Sequence, residues 1–542
     1  MKNIILIILI FSVLSPLELM SQNFTRKDSL MGSVTAERAW WDLLHYEIDV
    51  SVDVQNKAIE GQNIIKYKVL KPCQYLQIDL QSPMKILSIR QNGEPLTYTK
   101  EYNSYRVKLT KNQKEGDLNE IMVQFSGKPP VALNPPWDGG FVWKKDNNQN
   151  DFIANANQLL GSSSWIPTKD HPYDEPDEGM EIKITAPKEL VSVSNGRLVN
   201  VVNNAEPTKT YQWKVVNPIN GYGININMAD YAHFSEIYKG EKGSLDCDYY
   251  VLSYNLEKAR EQFKQVPKML EAFEHWFGPY PFYEDGYKLV EVPYLGMEHQ
   301  SSVTYGNGYQ NGYLGKDLSD TGNGLKFDFI IIHESGHEWF ANNLTNKDVA
   351  DMWLHEGFTT YSEVLYLDYH FGSEAGNAYL IGYRNKAANA RPITGIYEVN
   401  QSGSGDMYMK GAAIIHTLRQ MINNDEKFRT ILRGLNKDFY HQTVSSAQIE
   451  NYFTEKTGLD LHLFFDQYLR GIDIPILQFK VKDRTLSYRF RKVVPGFSIP
   501  VKFLVNDQEV WLTPTETWQS HQLNSVNAKV IIDENFYVMP KG

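Results

Sequence analysis

The sequence predicts a multidomain α+β protein: an N-terminal β-sandwich-like domain, a mainly helical middle domain and a small C-terminal β-sandwich. Three observations predict it. The chain has 542 residues, beyond what one hydrophobic core holds, since cores stop growing at ~250–300 residues. Apolar residues alternate with polar ones from Tyr46 through Ile48, Val50, Val52 and Val54, the period of a half-buried strand. That period becomes helical near Asn255 and returns to strand-like after Pro475.

Taken in order, Lys2 precedes an apolar run from Ile4 to Leu14, and polar sequence follows at Ser21-Gln22. This is the pattern of a signal peptide over residues 1–22, and it places the mature chain in the periplasm or the medium as a secreted protein. The run falls short of the ~20 apolar residues of a membrane span, and no stable span is expected once it is removed. Residues 35–232 read as the first β domain, with Asn92-Gly93 as a hairpin turn. Residues 233–472 read as mostly helical. Helices are expected at Asn255–Trp276 (disturbed at Pro267 and stopped by Gly278), Asp328–Asn342, Val349–Phe371, Met407–Ile422, Ser446–Thr457 and Leu461–Leu469, with one short strand at Tyr287–Pro293. Residues 475–542 return to strands, at Leu477–Val481, Leu486–Arg489, Pro500–Leu504 and Lys529–Ile532.

Lys+Arg number 54 against 65 Asp+Glu, a net charge of -11. Such a chain lacks the basic surplus that binding to nucleic acid or anionic membrane needs; a cationic partner, such as a free peptide amine, suits it better. Cys73 and Cys247 are the only cysteines. They cannot build a thiolate metal site, and whether they pair is open. Any metal must be held by His and carboxylate.

One segment supplies those ligands. His333-Glu334-Ser335-Gly336-His337 lies between Phe329-Ile330-Ile331-Ile332 and Trp339-Phe340. Residues four apart share a helix face, so His333 and His337 can present imidazoles to one ion, while Glu334 projects beside it as a base. Glu356 follows His337 after eighteen residues, in Trp353-Leu354-His355-Glu356-Gly357-Phe358. An antiparallel return of that helix puts Glu356 opposite the histidines. Two His and one Glu leave a fourth position open, the pattern of catalytic zinc. His355 points about 100° away from Glu356 on a helix and suits packing. Glu363, two turns beyond Glu356, is either a partner behind a ligand histidine or a plain surface glutamate.

With this spacing the sequence resembles the aminopeptidase N family of zinc metallopeptidases (the gluzincins with HExxH and a later Glu), which includes leukotriene hydrolase. Three further segments carry the resemblance. Tyr294-Leu295-Gly296-Met297-Glu298-His299 looks like the family's G-x-M-E-N segment. There the resemblance implies that Glu298 binds the substrate's α-amine and that Gly296 and Met297 line the substrate. Gln158 lies nine residues before Pro167-Thr168-Lys169-Asp170, which resembles the family's P-C-F-D; Gln158 is then a second amine contact. Tyr408-Met409-Lys410-Gly411 resembles Y-x-K-G and implies that Tyr408 donates to the developing oxyanion. The resemblance covers about Tyr46 to Gly471 and implies a thermolysin-like build for the helical domain, one zinc ion per chain, and peptide substrates with a free N-terminal amine. Leu295 and His299 depart from the pattern: Leu295 would narrow the cleft, and His299 would supply a donor or a pH-sensitive charge. The competing readings are a zinc endopeptidase of thermolysin type and a non-catalytic peptide-binding scaffold.

Overall fold

The computed structural model describes residues 24–205 and 207–542. The leader expected over residues 1–22 lies outside the described residues. The architecture is multidomain α+β.

Strand Trp41–Asp53 is the spine of an eight-stranded sheet, paired antiparallel with Ala58–Val69 and parallel with Met180–Pro187. Its alternation buries Tyr46, Ile48, Val50 and Val52 against Ile65, Ile121, Val123 and Ile182. Asn92 (φ 52°) and Gly93 (φ 81°) turn the chain between Lys85–Gln91 and Glu94–Pro95, the left-handed pair that a two-residue hairpin requires. A second sheet of four strands contains the hairpin Gly140–Lys145/Asp151–Ala156. Its second strand runs directly into Gln158.

A five-stranded sheet joins the hairpin Tyr231–Gly240/Gly243–Leu252 to Tyr287–Glu291, Val303–Tyr305 and, at the edge, Gly296–Met297. The hairpin is not evident from periodicity, because its outer strand is largely solvent-exposed. The helix expected over Asn255–Trp276 is two helices, Leu256–Gln262 and Gln265–Phe277. The break precedes Pro267, which sits in the first turn of the second helix, where its missing N–H leaves no bond unmade. Gly278, at φ 93°, ends it.

Two other helices are shorter than expected. The helix expected to reach Asn342 spans Phe329–Gly336, and Phe340 (φ -127°, ψ 78°) breaks the chain out into strand Leu344–Asn346. The next begins at Trp353, not Val349, after a turn in which the Asp348 side chain accepts from the Ala350 N–H. It runs to Phe371 and is followed by Ser373–Arg384, Met409–Ile422, Asp425–Asp438 and Ser446–Thr457. The first and third of these four, Ser373–Arg384 and Asp425–Asp438, are not among the helices expected from the sequence, although the second of the two opens on an Asn424 cap that accepts from the Lys427 N–H and has Asp425 and Glu426 in its first turn.

The chain ends in a four-stranded and a three-stranded sheet built from Ile476 onward. Their buried residues, including Leu477, Phe490, Phe497 and Phe503, belong to the same core as the helical block. Cys247 is buried, Cys73 is half-buried, and both are free thiols. Among the described residues, no helix is long and apolar enough to cross a membrane.

Candidate active site

Helix Phe329–Gly336 starts on the Asp328 carboxylate, which accepts from the Ile330 and Ile331 N–H groups at 3.1 and 3.4 Å. Tyr305 and Asn307 also donate to it. Three consecutive isoleucines, fully buried, fix the helix in the core. His333 and His337 then emerge at its C-terminal end, and the helix Trp353–Phe371 brings Glu356 across from them.

One donor atom from each of these three residues lies within 4.8 Å of the others. The His333 and His337 Nε2 atoms stand 3.6 and 3.4 Å from Glu356 Oε2. The other ring nitrogens are already committed. His333 Nδ1–H donates to Glu363 Oε1 at 2.7 Å, and His337 Nδ1–H donates to the Phe340 carbonyl at 3.0 Å. A carbonyl and a carboxylate can only accept, so both Nε2 atoms carry lone pairs. The irregular backbone at Phe340 is what turns its carbonyl onto His337. Glu356 Oε2 is buried and has no hydrogen-bond partner. Three lone-pair donors therefore converge in a buried space, an arrangement that needs a cation at its centre.

Glu334, beside this cluster, is pushed up to about 8 by burial. Glu334, Glu298 and His337 also offer atoms within 4.8 Å of one another. Glu298 is buried, which raises its carboxyl. Its Oε1 accepts from Gln158 Nε2 at 2.7 Å and from the Tyr222 hydroxyl at 3.1 Å. Gln158 Nε2 also donates to Glu356 Oε1 at 3.1 Å.

Gly296 lies on the edge strand, and a Cβ there would come within 2.7 Å of Ile330 Cγ2; the strand can press onto the histidine helix only without a side chain. Met297 packs against Val142 and Ala154 of the N-terminal domain. The loop carrying Gln158 is fixed by Asp170, which accepts from Ser163 N at 3.1 Å and from the Ser163 hydroxyl. Gly161, at φ 88°, has no room for a Cβ beside the Asp170 carboxylate.

The Tyr408 ring lies nearly parallel to His333, with centroids 6.0 Å apart. Its position follows from two glycines: a Cβ on Gly411 would come within 2.7 Å of Gly357 Cα. Helix Met409–Ile422 thus crosses the Glu356 helix in backbone contact. Lys410 turns away and donates to the Gly471 carbonyl at 2.9 Å.

All nine residues singled out from the sequence line one cleft of about 410 Å³: Gln158, Gly296, Met297, Glu298, His333, Glu334, His337, Glu356 and Tyr408. Leu295 lines it too. His299 does not. It is buried behind the strand, with Nδ1 3.4 Å from the Thr304 hydroxyl, and burial pushes it down to about 3. The expected donor or pH-sensitive charge in the cleft is corrected to a neutral, buried imidazole. His355 accepts from the Asn346 N–H at 2.9 Å, away from the cluster. The sequence does not single out Tyr222 or the cleft residues Trp137, Tyr313 and Tyr383: Trp137 and Tyr313 are single aromatics in loops, Tyr222 lies in the short turn Gly221–Gly223, and Tyr383 ends the helix Ser373–Arg384, which periodicity does not predict.

The "Peptidase family M1 domain" model matches residues 261–468, and the "Peptidase M1 N-terminal domain" model matches residues 43–222. The chain is 21% identical over 515 residues to a protein of Sulfurisphaera tokodaii named probable aminopeptidase 1, covering 90% of this chain and 61% of that one. It is 26% identical over 307 residues to endoplasmic reticulum aminopeptidase 1 of Mus musculus, covering 53% of this chain and 32% of that one. The chain thus spans from a third to three fifths of the length of these relatives. Among solved structures, an M1 zinc metallopeptidase from Deinococcus radiodurans superposes with a TM-score of 0.69 at 18% identity, covering 81% of this chain and 95% of that one.

Proposed function

The chain belongs to the peptidase M1 family of zinc metallopeptidases, and we propose that it is an aminopeptidase that hydrolyses the first peptide bond of peptides with a free N-terminus. Zinc is the cofactor, and the converging Nε2 atoms of His333 and His337 with the unpartnered Glu356 Oε2 fit it. Zinc held by these three residues supplies Lewis acidity toward a carbonyl oxygen and a water molecule.

The remaining work falls to the chain's own groups. Glu334, beside the ligands, takes the proton of the attacking water and returns it to the leaving nitrogen. Tyr408 donates its hydroxyl to the carbonyl oxygen as negative charge develops there; losing such a donor typically costs about 3 kcal/mol of barrier. Glu298 binds the α-ammonium group, with Gln158 and Tyr222 holding the carboxylate in place. The edge strand Gly296–Met297 has a free side along which an extended substrate can pair.

The buried Glu298 carboxylate carries the aminopeptidase reading. In a peptide the α-nitrogen and the first carbonyl carbon are about 2.5 Å apart, so an amine anchor must stand within a few ångströms of the hydrolytic centre. Glu298 stands within 4.8 Å of Glu334 and His337. The Gln158 and Tyr222 bonds both go to Glu298 Oε1, and an N-terminal ammonium group supplies the cationic partner for the carboxylate that the backbone of an internal segment does not. The test is a matched pair of peptides, one free and one N-acetylated, followed by mass spectrometry. Stepwise release from the free peptide, with the acetylated one at least ~10³-fold slower, is the expected result. Equal cleavage of both, or internal cuts, would overturn the reading in favour of an endopeptidase. The apolar run Ile4–Leu14 supports export to the periplasm or the medium as the setting of this activity.

A further inference from the structure

We infer that Trp137 forms a wall of the pocket that receives the substrate's first side chain, and that large apolar or aromatic N-terminal residues are preferred. The inference rests on the aminopeptidase reading above.

Residues 128–139 form a loop with prolines at positions 129, 130, 135 and 136. It displays apolar groups to solvent: Leu133 is 91% exposed, Trp137 57% and Val131 50%. Single exposed hydrophobics are ordinary, but this group adjoins a cleft, where exposed apolar surface marks a binding site. Pro136 and Trp137 line the cleft. The loop is held in shape by its own bonds. Asp138 accepts from the Leu133 and Asn134 N–H groups at 2.6 and 2.8 Å, and Trp137 N–H donates to the Asn134 carbonyl at 3.0 Å. Prolines fix φ along it. An indole presented this way loses little conformational freedom when a ligand covers it.

The loop's place in the fold decides which part of the substrate meets it. Gly140 pairs with Ala156 across the hairpin that ends at Gln158. A Cβ on Gly139 would come within 2.8 Å of Leu160 Cβ. Trp137 therefore stands at the same end of the hairpin as Gln158, which bonds Glu298, the proposed amine anchor. The Cα one bond from that amine carries the first side chain, so this side chain is the group that reaches the indole. Phe329, Tyr313, Leu318 and Tyr383 line the same cleft, and its lining contains three glutamates but no Lys, Arg or Asp. No basic side chain lines the cleft to pair with an acidic first side chain, which is therefore disfavoured.

A panel of aminoacyl chromogenic amides (Phe, Leu, Ala and Asp) tests this with the full zinc-loaded chain. In the wild type, kcat/KM for Phe or Leu should exceed that for Ala by about tenfold or more, with Asp slowest. Trp137→Ala should reduce the Phe-to-Ala preference about tenfold, chiefly through KM, as expected for lost ring stacking and burial. Trp137→Phe should keep most of the preference. An unchanged Phe-to-Ala ratio in Trp137→Ala, or a wild-type preference for Ala or Asp, overturns the inference and leaves the aminopeptidase reading standing. A wild type that cleaves none of the four amides also overturns the inference, and the free and N-acetylated peptide pair then decides the aminopeptidase reading.

Discussion

The metal-facing nitrogens of His333 and His337 owe their direction to acceptors on the far side of each ring. Glu363 is the more consequential of these. It is fully buried on the same helix as Glu356, accepts from His333 Nδ1 at 2.7 Å and accepts from the Tyr379 hydroxyl at 2.5 Å. Its charge makes the imidazole a better ligand, and Tyr379 keeps the carboxylate from rotating. Glu363→Gln keeps the shape and removes the charge. Zinc affinity, measured by competition with a chromogenic chelator, should fall about 10–100-fold while the circular dichroism spectrum is unchanged; unaltered affinity would make Glu363 a packing residue. Which site groups the sequence announces follows from their separation. His333, Glu334 and His337 sit within one helix turn, so a period of 3.6 relates them directly. Glu356 is reached by one helix return. Gln158, Glu298 and Tyr408 were identified through the family resemblance, since nothing local marks them. Tyr222, bonded to Glu298 across 76 residues, has no marker of either kind.

At the scale of elements, the site depends on how closely two helices approach. Gly357 follows Glu356, and Gly411 lies three residues after Tyr408; each would drive a Cβ into the other's backbone, at 3.0 and 2.7 Å. The crossing thus sets the distance between a metal ligand and the tyrosine over His333. Gly411→Ala adds one methyl to a contact with no slack, and overpacking of this kind costs about 1–3 kcal/mol. Thermal unfolding should shift down by several degrees, and kcat should fall about tenfold as Tyr408 moves, with KM changing less. Gly405→Ala is the control, because nothing lies within 4 Å of a Cβ there; equal effects from both variants would sink the argument. The same elements show where sequence patterning stops. Periodicity found the interiors of the helices at Phe329, Trp353 and Met409, because each buries a continuous apolar stripe. It overran the ends. At Phe340 the chain leaves the helix to place a carbonyl on His337, a tertiary requirement that the apolar run Trp339-Phe340 conceals. Near Pro267 the break falls a few residues early, at Phe263–Lys264, because proline is tolerated inside a first turn but not deeper.

For the whole molecule, the cleft is assembled from two blocks and buttressed by a third. The N-terminal sheets deliver Gln158, Tyr222 and Trp137, and the helical block delivers the zinc ligands, Glu298 and Tyr408. The C-terminal sheets contribute none of the described cleft-lining residues, yet they seal the helices that carry the ligands. Tyr468 donates to the Tyr537 carbonyl at 2.7 Å and stacks on its ring. Arg384 donates to the Glu534 carbonyl at 2.5 Å and lies over the Tyr537 ring. His416, which burial keeps neutral, bonds Asn535 Oδ1 through Nε2 and the Tyr361 hydroxyl through Nδ1. Tyr361 belongs to the helix of Glu356 and Glu363. Removing residues 475–542 would expose Tyr468 and leave Arg384 and His416 without these partners. Exposing one large buried side chain costs about 1.5–3 kcal/mol, and each orphaned buried polar group costs about 1–3 kcal/mol. Their sum takes up much of the 5–15 kcal/mol that typically holds a domain together. The truncated chain should therefore unfold at least ten degrees below the full one and lose zinc on dialysis that leaves the full chain loaded. Asn535→Ala removes the His416 contact and the bond from Asn535 Nδ2 to Asp533 Oδ1 and should cost about 1–3 kcal/mol with the zinc retained. A truncated chain with full thermal stability and full zinc content would show instead that the terminal sheets are an independent appendage, and that the helices around Glu356 hold their geometry unaided.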